Sequence, residues 1–445
     1  MTPEELARLD ALLRVPSISA VAEHAPDMAR AAELVAREIR LAGGQAEIRL
    51  STGHPLVVGE VAPGDDAPDA PKVILYGHYD VQPPGPEELW TTPPFEPTLR
   101  DGDLYARGAS DDKGNLFMLL VAVQRLAAEG RLPVRVQFVI EGEEESGGTT
   151  ALDHFTADDE PALAAIIFDS PMAAPGRPTI CSGVRGMAYR RIRVRTAASD
   201  AHSGIYGGAA LNAVHALMAI LAAVTPHEGR LPEALYAGVA PAGAAEVSTW
   251  AGLPGGGEVL ADAGLRPSDA GAAEGFYMRT LASPSVDVHG VAAGEPGAVK
   301  TNVPCEATAT LSMRLAPGQD ARLMSELLDE LIRAAAPAGA EVEIEHHGLA
   351  LPAALDPEHP VLVAAADGME AGTGWRPAPV RVGGTIPVVA VIAAKGIPVI
   401  LTGFGLPDDG IHGPDEHLRH EYLEIGTQAA MGMLVSLGRL GTQTA

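Results

Sequence analysis

The chain has 445 residues, of which 47% are hydrophobic, 20% charged and 4% aromatic, and its formal net charge at pH 7 is −27. This length suffices for two or three domains with apolar cores. The acidic balance argues against a nucleic acid or an anionic membrane as a partner, because either would be repelled by most of the surface. The two cysteines, Cys181 and Cys305, are too few for a disulfide framework.

The amino-terminal segment, MTPEELARLDALLRVPSIS, has acidic residues where a secretory signal would need positive charge. Its Thr-Pro-Glu-Glu start predicts an amphipathic helix instead. The most apolar window, residues 211–224, is shorter than the roughly 20 residues that a membrane-spanning helix needs. We therefore expect a cytoplasmic protein.

In the first part of the chain, titratable side chains follow short apolar segments. Residues 72–82, KVILYGHYDVQ, predict a buried strand whose end carries His78 and Asp80. If the backbone stays extended, these two side chains lie on one face. Such a pair is a metal ligand with a supporting acid, half of an acid/base pair, or a surface turn.

Three further groups of carboxylates occur nearby. Asp111 and Asp112 precede an apolar helix, either as capping residues or as functional groups. EGEEE at 141–145 ends a predicted strand, either as a solvated loop or as a cation site, and Asp169 ends another strand. Strands that alternate with helices predict a mostly parallel sheet, whose carboxyl ends gather at one edge. The sequence therefore predicts a divalent metal site at this edge.

From about Met187 the pattern changes to alternating strands with two helices, which predicts an α+β domain with an antiparallel sheet. The strand–helix pattern of an α/β domain returns near residue 352. The predicted domains are a catalytic α/β domain over 1–188 and 349–445 and an inserted lid domain over 189–348.

Among the remaining polar residues, His412 lies in a Gly-rich loop after a predicted strand and is a candidate second imidazole. His417 and His420 lie beyond it and lack the HExxH pattern of a separate zinc site. Ser110 and Ser203 lie near acids or histidines, but neither has the GxSxG context of a serine hydrolase.

Together these motifs resemble those of the M20 metallopeptidase family, most closely its dipeptidase branch with the cytosolic nonspecific dipeptidases and carnosinases. They occur in family order over nearly the whole chain. The matching segments are GHYDVQP (77–83), YARGASDDKG (105–114), EGEEESGG (141–148), FDSP (168–171), AHSG (201–204), MRLAPG (313–318), GGTIP (383–387) and GIHGPDE (410–416).

The resemblance implies two divalent metal ions, zinc or, in some members, manganese or cobalt. The implied metal ligands are His78 and Asp169 for one ion, Glu145 and His412 for the other, and Asp111 between the two. The resemblance also implies that Asp80 accepts the other ring N–H of His78 and fixes its tautomer. The peptide bond between Asp111 and Asp112 is expected to be cis.

The resemblance assigns Glu144 as the general base, which takes a proton from a water between the metal ions and passes it to the leaving amine. It assigns His202 to the oxyanion, often across a dimer interface, so we expect a homodimer that associates through the lid domain. The residues implied to hold the substrate's carboxylate are Asn302, Arg314, Gly383, Gly384 and Thr385.

The implied reaction is hydrolysis of the amide bond of a dipeptide or small peptide with a free carboxylate. In comparable dipeptidases a Glu commonly precedes the GG pair, as a candidate partner for the substrate's free amine, but here the residue is Val382. A deacylase of N-acyl- or N-succinyl-amino acids on the same metal site is therefore the alternative. A non-catalytic scaffold is disfavoured, because every ligand position and the base are filled.

Overall fold

The structure is a computed structural model that describes residues 1–50, 53–63, 70–294, 297, 299–384 and 386–444. The helices are α1 (Pro3–Leu13), α2 (Ala25–Leu41), α3 (Lys113–Ala128), α4 (Thr150–Ala157), α5 (Ser203–Tyr206), α6 (Ala213–Val224), α7 (Ala244–Trp250), α8 (Gly256–Asp262), α9 (Ala321–Ala334), α10 (Pro360–Thr373), α11 (Pro387–Ala394) and α12 (His420–Thr444). The strands are β1 (Gln45–Arg49), β2 (Leu56–Val61), β3 (Lys72–His78), β4 (Thr98–Arg100), β5 (Asp103–Tyr105), β6 (Arg135–Glu141), β7 (Ala164–Phe168), β8 (Thr179–Val184), β9 (Gly186–Arg195), β10 (Ala201–His202), β11 (Ser285–Ala293), β12 (Asn302–Val303), β13 (Glu306–Leu315), β14 (Glu341–Ala350), β15 (Ala353–Ala354), β16 (Ala378–Val382), β17 (Val399–Thr402) and β18 (His417–Arg419).

The chain divides into two compact units. The first unit comprises residues 1–182, 355–380 and 391–445, and the second comprises 183–354 and 381–390. The assignment of a catalytic role to one and a lid role to the other stays a prediction. Among the helices of the described ranges, none has the length and apolar character that a membrane crossing requires.

The first unit is built on a six-stranded sheet with the order β1-β2-β6-β3-β7-β17. Strands β6, β3, β7 and β17 are parallel, whereas β1 and β2 join antiparallel at one edge. Strand β3 is buried along its whole length, since β6 and β7 pair with it on both sides and α3 packs against it. Burial on both faces explains its continuous apolar run. The predicted α/β architecture is confirmed.

Helix α1 begins where the sequence predicts it. The Thr2 hydroxyl accepts the backbone N–H of Glu5 at 3.2 Å, and the Glu5 carboxylate accepts the N–H of Thr2 at 2.6 Å. This capping box satisfies backbone donors that the first helical turn leaves unpaired, and Pro3 needs no such partner.

The second unit is an antiparallel sheet with the order β11-β13-β9-β14, and α6 and α9 pack on it. The core between them contains Leu217 and Ile220 of α6, Leu328 of α9 and Leu311 of β13. The predicted α+β fold is therefore confirmed. Helix α6 begins at Ala213, because the Asn212 side chain caps it by accepting the N–H of Val214 at 2.9 Å.

A buried ion pair joins β9 to α9 in the second unit. Arg190 has no solvent-exposed surface, and its Nε donates to Asp329 Oδ1 at 2.9 Å. His346 Nε2 lies 2.8 Å from the other carboxylate oxygen of Asp329. The guanidinium also contacts the hydroxyl of Ser325.

We expect Asp329→Ala to lower the free energy of unfolding by about 3–5 kcal/mol, because it leaves a buried guanidinium without its counter-charge. Urea unfolding followed by circular dichroism measures this. The matched control is Asp367→Ala, which removes an exposed ion pair with Arg376 and should cost less than about 1 kcal/mol. Equal losses of unfolding free energy in the two variants would show that Asp329 contributes no more to stability than an exposed partner does.

Candidate metal centre

Titratable side chains meet where adjacent parallel strands of the first unit end. His78 is the last residue of β3, and Asp169 directly follows β7. The neighbouring β6 leads into a 3₁₀ turn that carries Glu144 and Glu145. The strand order β6-β3-β7 therefore brings residues from distant parts of the chain to one edge.

Two groups of side chains lie close enough to hold a metal ion. His78, Asp111 and Asp169 form one group, and Asp111, Glu145 and His412 form the other, with the ligand atoms of each group within 4.8 Å of one another. The structure thus brings together all five residues that the sequence predicts as ligands. Asp111 belongs to both groups, as expected of a residue between two ions.

The carboxylate of Asp111 lies between the two imidazole rings. His78 Nε2 is 3.2 Å from Asp111 Oδ1, and His412 Nε2 is 3.0 Å from Asp111 Oδ2. His412 Nε2 also lies 3.3 Å from Glu145 Oε2. Each imidazole therefore presents its Nε2 atom to the shared carboxylate.

Asp80 contacts the other side of the His78 ring. His78 Nδ1 lies 3.1 Å from the carbonyl oxygen of Asp80 and 3.3 Å from its carboxylate Oδ1. The second carboxylate oxygen accepts the backbone N–H of Glu145 at 3.1 Å. Asp80 is fully buried, so it holds both the ring and the turn with Glu145 in place.

Burial and neighbouring charged groups shift the pKa values of three of the candidate ligands. Burial raises the pKa of Asp169 well above its usual range, and the negative charge of Asp111 raises it further. Burial also opposes ionisation of Asp111, but hydrogen bonds from His412 and His78 hold its pKa well below the usual range. Hydrogen bonds to Asp111 and Glu145 raise the pKa of His412 to about 10.

The donor set fits divalent metal ions. Imidazole nitrogen and carboxylate oxygen are ligands that zinc and similar ions prefer. Among the described residues, Glu145 Oε1 is buried and has no hydrogen-bond partner, although Gln82 donates to Oε2 at 2.8 Å. A bound cation would satisfy this oxygen and offset the repulsion between the buried carboxylates.

Glu144 belongs to neither ligand group, although it is adjacent to Glu145. Its side chain is half-buried. Burial raises the pKa of Glu144, and the negative charge of Glu145 adds to that effect against the opposing charge of His78. A carboxylate of raised pKa beside a metal cluster suits proton transfer.

The peptide bond between Asp111 and Asp112 is cis, as the family resemblance implies. Asp112 is buried, and its Oδ2 accepts the backbone N–H of His78 at 3.2 Å. A Cβ atom at Gly77 would lie 2.8 Å from the same oxygen, so only glycine permits this close approach. Asp112 therefore supports the end of β3 rather than capping α3.

The second unit contains the other predicted site residues. His202 and Asn302 are direct neighbours in the β10–β12 ladder. The His202 ring is exposed and accepts the N–H of Gly204 at 3.0 Å, and the Asn302 amide donates to Asp200. Thr385 lies outside the described residues.

Arg185, which the sequence analysis missed, lies beside the predicted Gly383 and Arg314. Its Nε donates to the carbonyl oxygen of Gly383 at 2.9 Å. Burial and the nearby positive charge of Arg314 lower the pKa of Arg185 to about 10. The only local signal is an Arg-Gly pair before an alternating strand, which is too common to single out.

A cluster of imidazole and carboxylate ligands at the carboxyl edge of a parallel sheet, in a chain with an inserted α+β unit, defines a metal-dependent hydrolase. The sequence model of peptidase family M20/M25/M40 matches residues 74–436. The chain belongs to this family. The predicted family and enzyme class, a metal-binding M20 peptidase, are therefore confirmed.

The chain is similar to characterised peptidases over most of its length. It is 31% identical to the cysteinylglycine-S-conjugate dipeptidase of Corynebacterium striatum, over 83% of this chain and 82% of that protein. It is 29% identical to the human beta-Ala-His dipeptidase, over 87% and 78% of the two chains. The crystal structure of an M20 family metallo-carboxypeptidase from Sulfolobus solfataricus is similar with a TM-score of 0.84 and 27% identity, over 98% of this chain and 100% of that chain.

Because Asp111 belongs to both ligand groups and Asp169 to one, their substitutions should differ. We expect Asp111→Asn to lose both metal ions and Asp169→Asn to keep about one per chain. Inductively coupled plasma mass spectrometry after dialysis measures the metal content, with Asp367→Asn on the surface as the control. Equal retention by the two variants would show that Asp111 is not shared.

Proposed function

We propose that the protein is a dipeptidase, which uses two divalent metal ions to hydrolyse the amide bond of dipeptides or small peptides with a free carboxylate. The observation that carries this proposal is the position of Asp111 in both ligand groups. The names of the curated relatives, both dipeptidases, support this class of substrate.

In the proposed site, His78 and Asp169 would hold one ion, Glu145 and His412 would hold the other, and Asp111 would contribute to both sites. When bound, the two ions would lower the pKa of a water molecule and polarise the scissile carbonyl. Asp80 keeps the Nε2 atom of His78 directed into the cluster, since it occupies the Nδ1 side of the ring.

Glu144 is the proposed general base. Its carboxylate takes a proton from the attacking water and then delivers that proton to the departing amine nitrogen. Its raised pKa favours the first step, because a more basic carboxylate accepts a proton more readily, and the second step stays favourable because the departing amine is more basic still. Glu145 is proposed as a metal ligand instead, because it belongs to a ligand group and its Oε2 lies 3.3 Å from His412 Nε2.

Residues of the second unit are proposed to bind the substrate. His202 would donate to the oxyanion that forms at the carbonyl. The proposed carboxylate site consists of Asn302, Arg314, Gly383, Gly384 and Thr385. We add Arg185 to this set, because its guanidinium donates to Gly383 and the planar fork of a guanidinium suits a carboxylate.

The alternative is a deacylase of N-acyl- or N-succinyl-amino acids with the same metal site. Val382, which is half-buried and apolar, favours it, because this side chain offers no charge to a free substrate amine. The carboxylate site and the base would be unchanged in this alternative.

We further propose that zinc is the native metal, because the mixed nitrogen and oxygen ligands suit it. A homodimer through the second unit is proposed as well. The edge strand β11 exposes Val288 and Val291 there, which supports this, and sedimentation velocity would test it. The cytoplasmic location stays a prediction from the sequence.

We expect Glu144→Ala to retain the full metal content and to lower kcat by at least about 10²- to 10⁴-fold, because it removes proton transfer but no ligand. Glu144→Gln is the isosteric control and should be equally impaired. Steady-state kinetics and metal analysis on the same preparations measure both properties. Activity that survives in either variant would rule out Glu144 as the base.

A set of three substrates separates the two proposed activities. We expect Ala-Ala to be cleaved faster than N-acetyl-alanine, and Ala-alaninamide to be a poor substrate because it lacks the carboxylate. Arg314→Met should lower kcat/KM for Ala-Ala more than it lowers kcat/KM for Ala-alaninamide, because the amide has no carboxylate for Arg314 to bind. A smaller ratio of the two values would identify Arg314 as the partner of the substrate's carboxylate. Faster cleavage of N-acetyl-alanine would replace the dipeptidase proposal with the deacylase.

A further inference from the structure

Two loops of the first unit carry Asp111 and His412. The Asp111 loop comprises residues 106–112, between β5 and α3, and the His412 loop comprises residues 403–416, between β17 and β18. Strands β5 and β18 pair antiparallel, with Tyr105 opposite His417. The two loops therefore leave this ladder side by side, but the ladder ends before either metal-site residue.

The side chain of Glu416 joins the two loops beyond the end of the ladder. Its Oε1 accepts the backbone N–H groups of Gly108 at 3.1 Å, Ser110 at 3.0 Å and Asp111 at 3.0 Å. Its own carbonyl oxygen accepts the N–H of Ala106 at 3.1 Å. Glu416 is fully buried, so these contacts are shielded from water.

The contacts of Glu416 do not cap a helix. Helix α3 begins at Lys113, and the three amides that Oε1 accepts all precede it. The backbone at Gly108 has a φ of +85°, and a Cβ atom there would lie 2.8 Å from Val81 Cγ1. Glycine therefore allows the loop to turn so that its amides converge on one oxygen.

Arg107 supplies the charge that allows Glu416 to be buried. Its Nη1 donates to Glu416 Oε2 at 2.5 Å, and its Nη2 donates to the carbonyl oxygen of Pro83 at 3.2 Å. The guanidinium lies 5.4 Å from the centre of the Trp90 ring. Arg107 is 1% exposed, so the ion pair has little freedom to move.

Two further side chains bridge the same loops. Asp409 Oδ2 accepts the hydroxyl of Ser110 at 2.9 Å and the N–H of Leu406 at 2.8 Å. Asn115 donates to the carbonyl oxygen of Ser110 at 2.7 Å and accepts the N–H of Phe404 at 3.1 Å. These bridges reach residues 110 and 404–409, whereas Glu416 reaches Asp111 itself.

We propose that Glu416 is a positioning residue, which sets the distance between Asp111 and His412 and thereby the affinity for the metal ions. It lies four positions after His412 in one loop and holds the N–H of Asp111 in the other. The two residues it connects lie 3.0 Å apart, measured from His412 Nε2 to Asp111 Oδ2. The inference rests on the proposed pair of metal ions.

The test compares Glu416→Ala with Glu38→Ala. Glu38 is also a buried carboxylate of the first unit that accepts from an arginine, with Arg8 Nε at 2.9 Å, but it contacts neither loop. Metal affinity is measured by competition with a chelator, and the ligand geometry by the visible absorption of the Co²⁺-loaded protein. The apo-protein Tm reports the stability of each variant.

We expect Glu416→Ala to weaken metal binding by about 10- to 100-fold and to alter the Co²⁺ spectrum. Glu38→Ala should lower Tm without changing either property. Glu416→Gln keeps one acceptor oxygen for the three amides, so it should fold and should weaken metal binding less than the alanine variant does.

The inference would be overturned if Glu416→Gln kept the metal affinity and the Co²⁺ absorption spectrum of the unsubstituted protein. The same result in Glu416→Ala, where that variant folds, would also overturn it. Equal weakening in Glu38→Ala would also overturn it, because the effect would then reflect general stability. If the unsubstituted protein binds fewer than two ions, the proposed function fails instead, and the two failures are thereby distinguished.

Discussion

The site depends on the burial of several carboxylates at one edge of a parallel sheet. Neighbouring parallel strands end side by side, so the residues at the ends of β3, β6 and β7 lie close together at one edge of the sheet. At this edge Asp169 and Asp111 are negative neighbours in a poorly hydrated setting, which is unfavourable without positive charge. Divalent cations held by these carboxylates and by the two imidazoles would supply that charge.

The positions of two loops matter as much as those of the strands, because two of the five candidate ligands lie in loops. Asp111 and His412 come from segments whose positions are fixed by side chains, and the bond from the Asp111 amide to Glu416 spans 305 positions in sequence. Closing such a connection is costly until the rest of the unit has folded. The metal cluster is therefore a product of the completed first unit, not of any local motif.

The difference between local and long-range contacts explains what could be predicted from the sequence. Strands β3 and β7 were predictable because burial on both faces demands continuous apolar residues. Exact helix ends, such as the start of α6 after its capping residue Asn212, are only weakly encoded in the local sequence. The candidate ligands were predicted because their motifs occur in family order along the chain. Glu416 and Arg185 were not assigned roles, because their partners lie far away in sequence.

The proposed roles also divide the chemistry between the units. The first unit carries the carboxylates of the candidate metal centre, and the second carries Arg314 and Arg185, which are proposed to bind the substrate's carboxylate. Burial and the nearby positive charge of Arg314 disfavour the charged form of Arg185, and the negative charge of Asp287 offsets this only in part. A substrate with a free carboxylate would place a negative charge beside the Arg185 guanidinium, which supports the proposed preference for such substrates over amides.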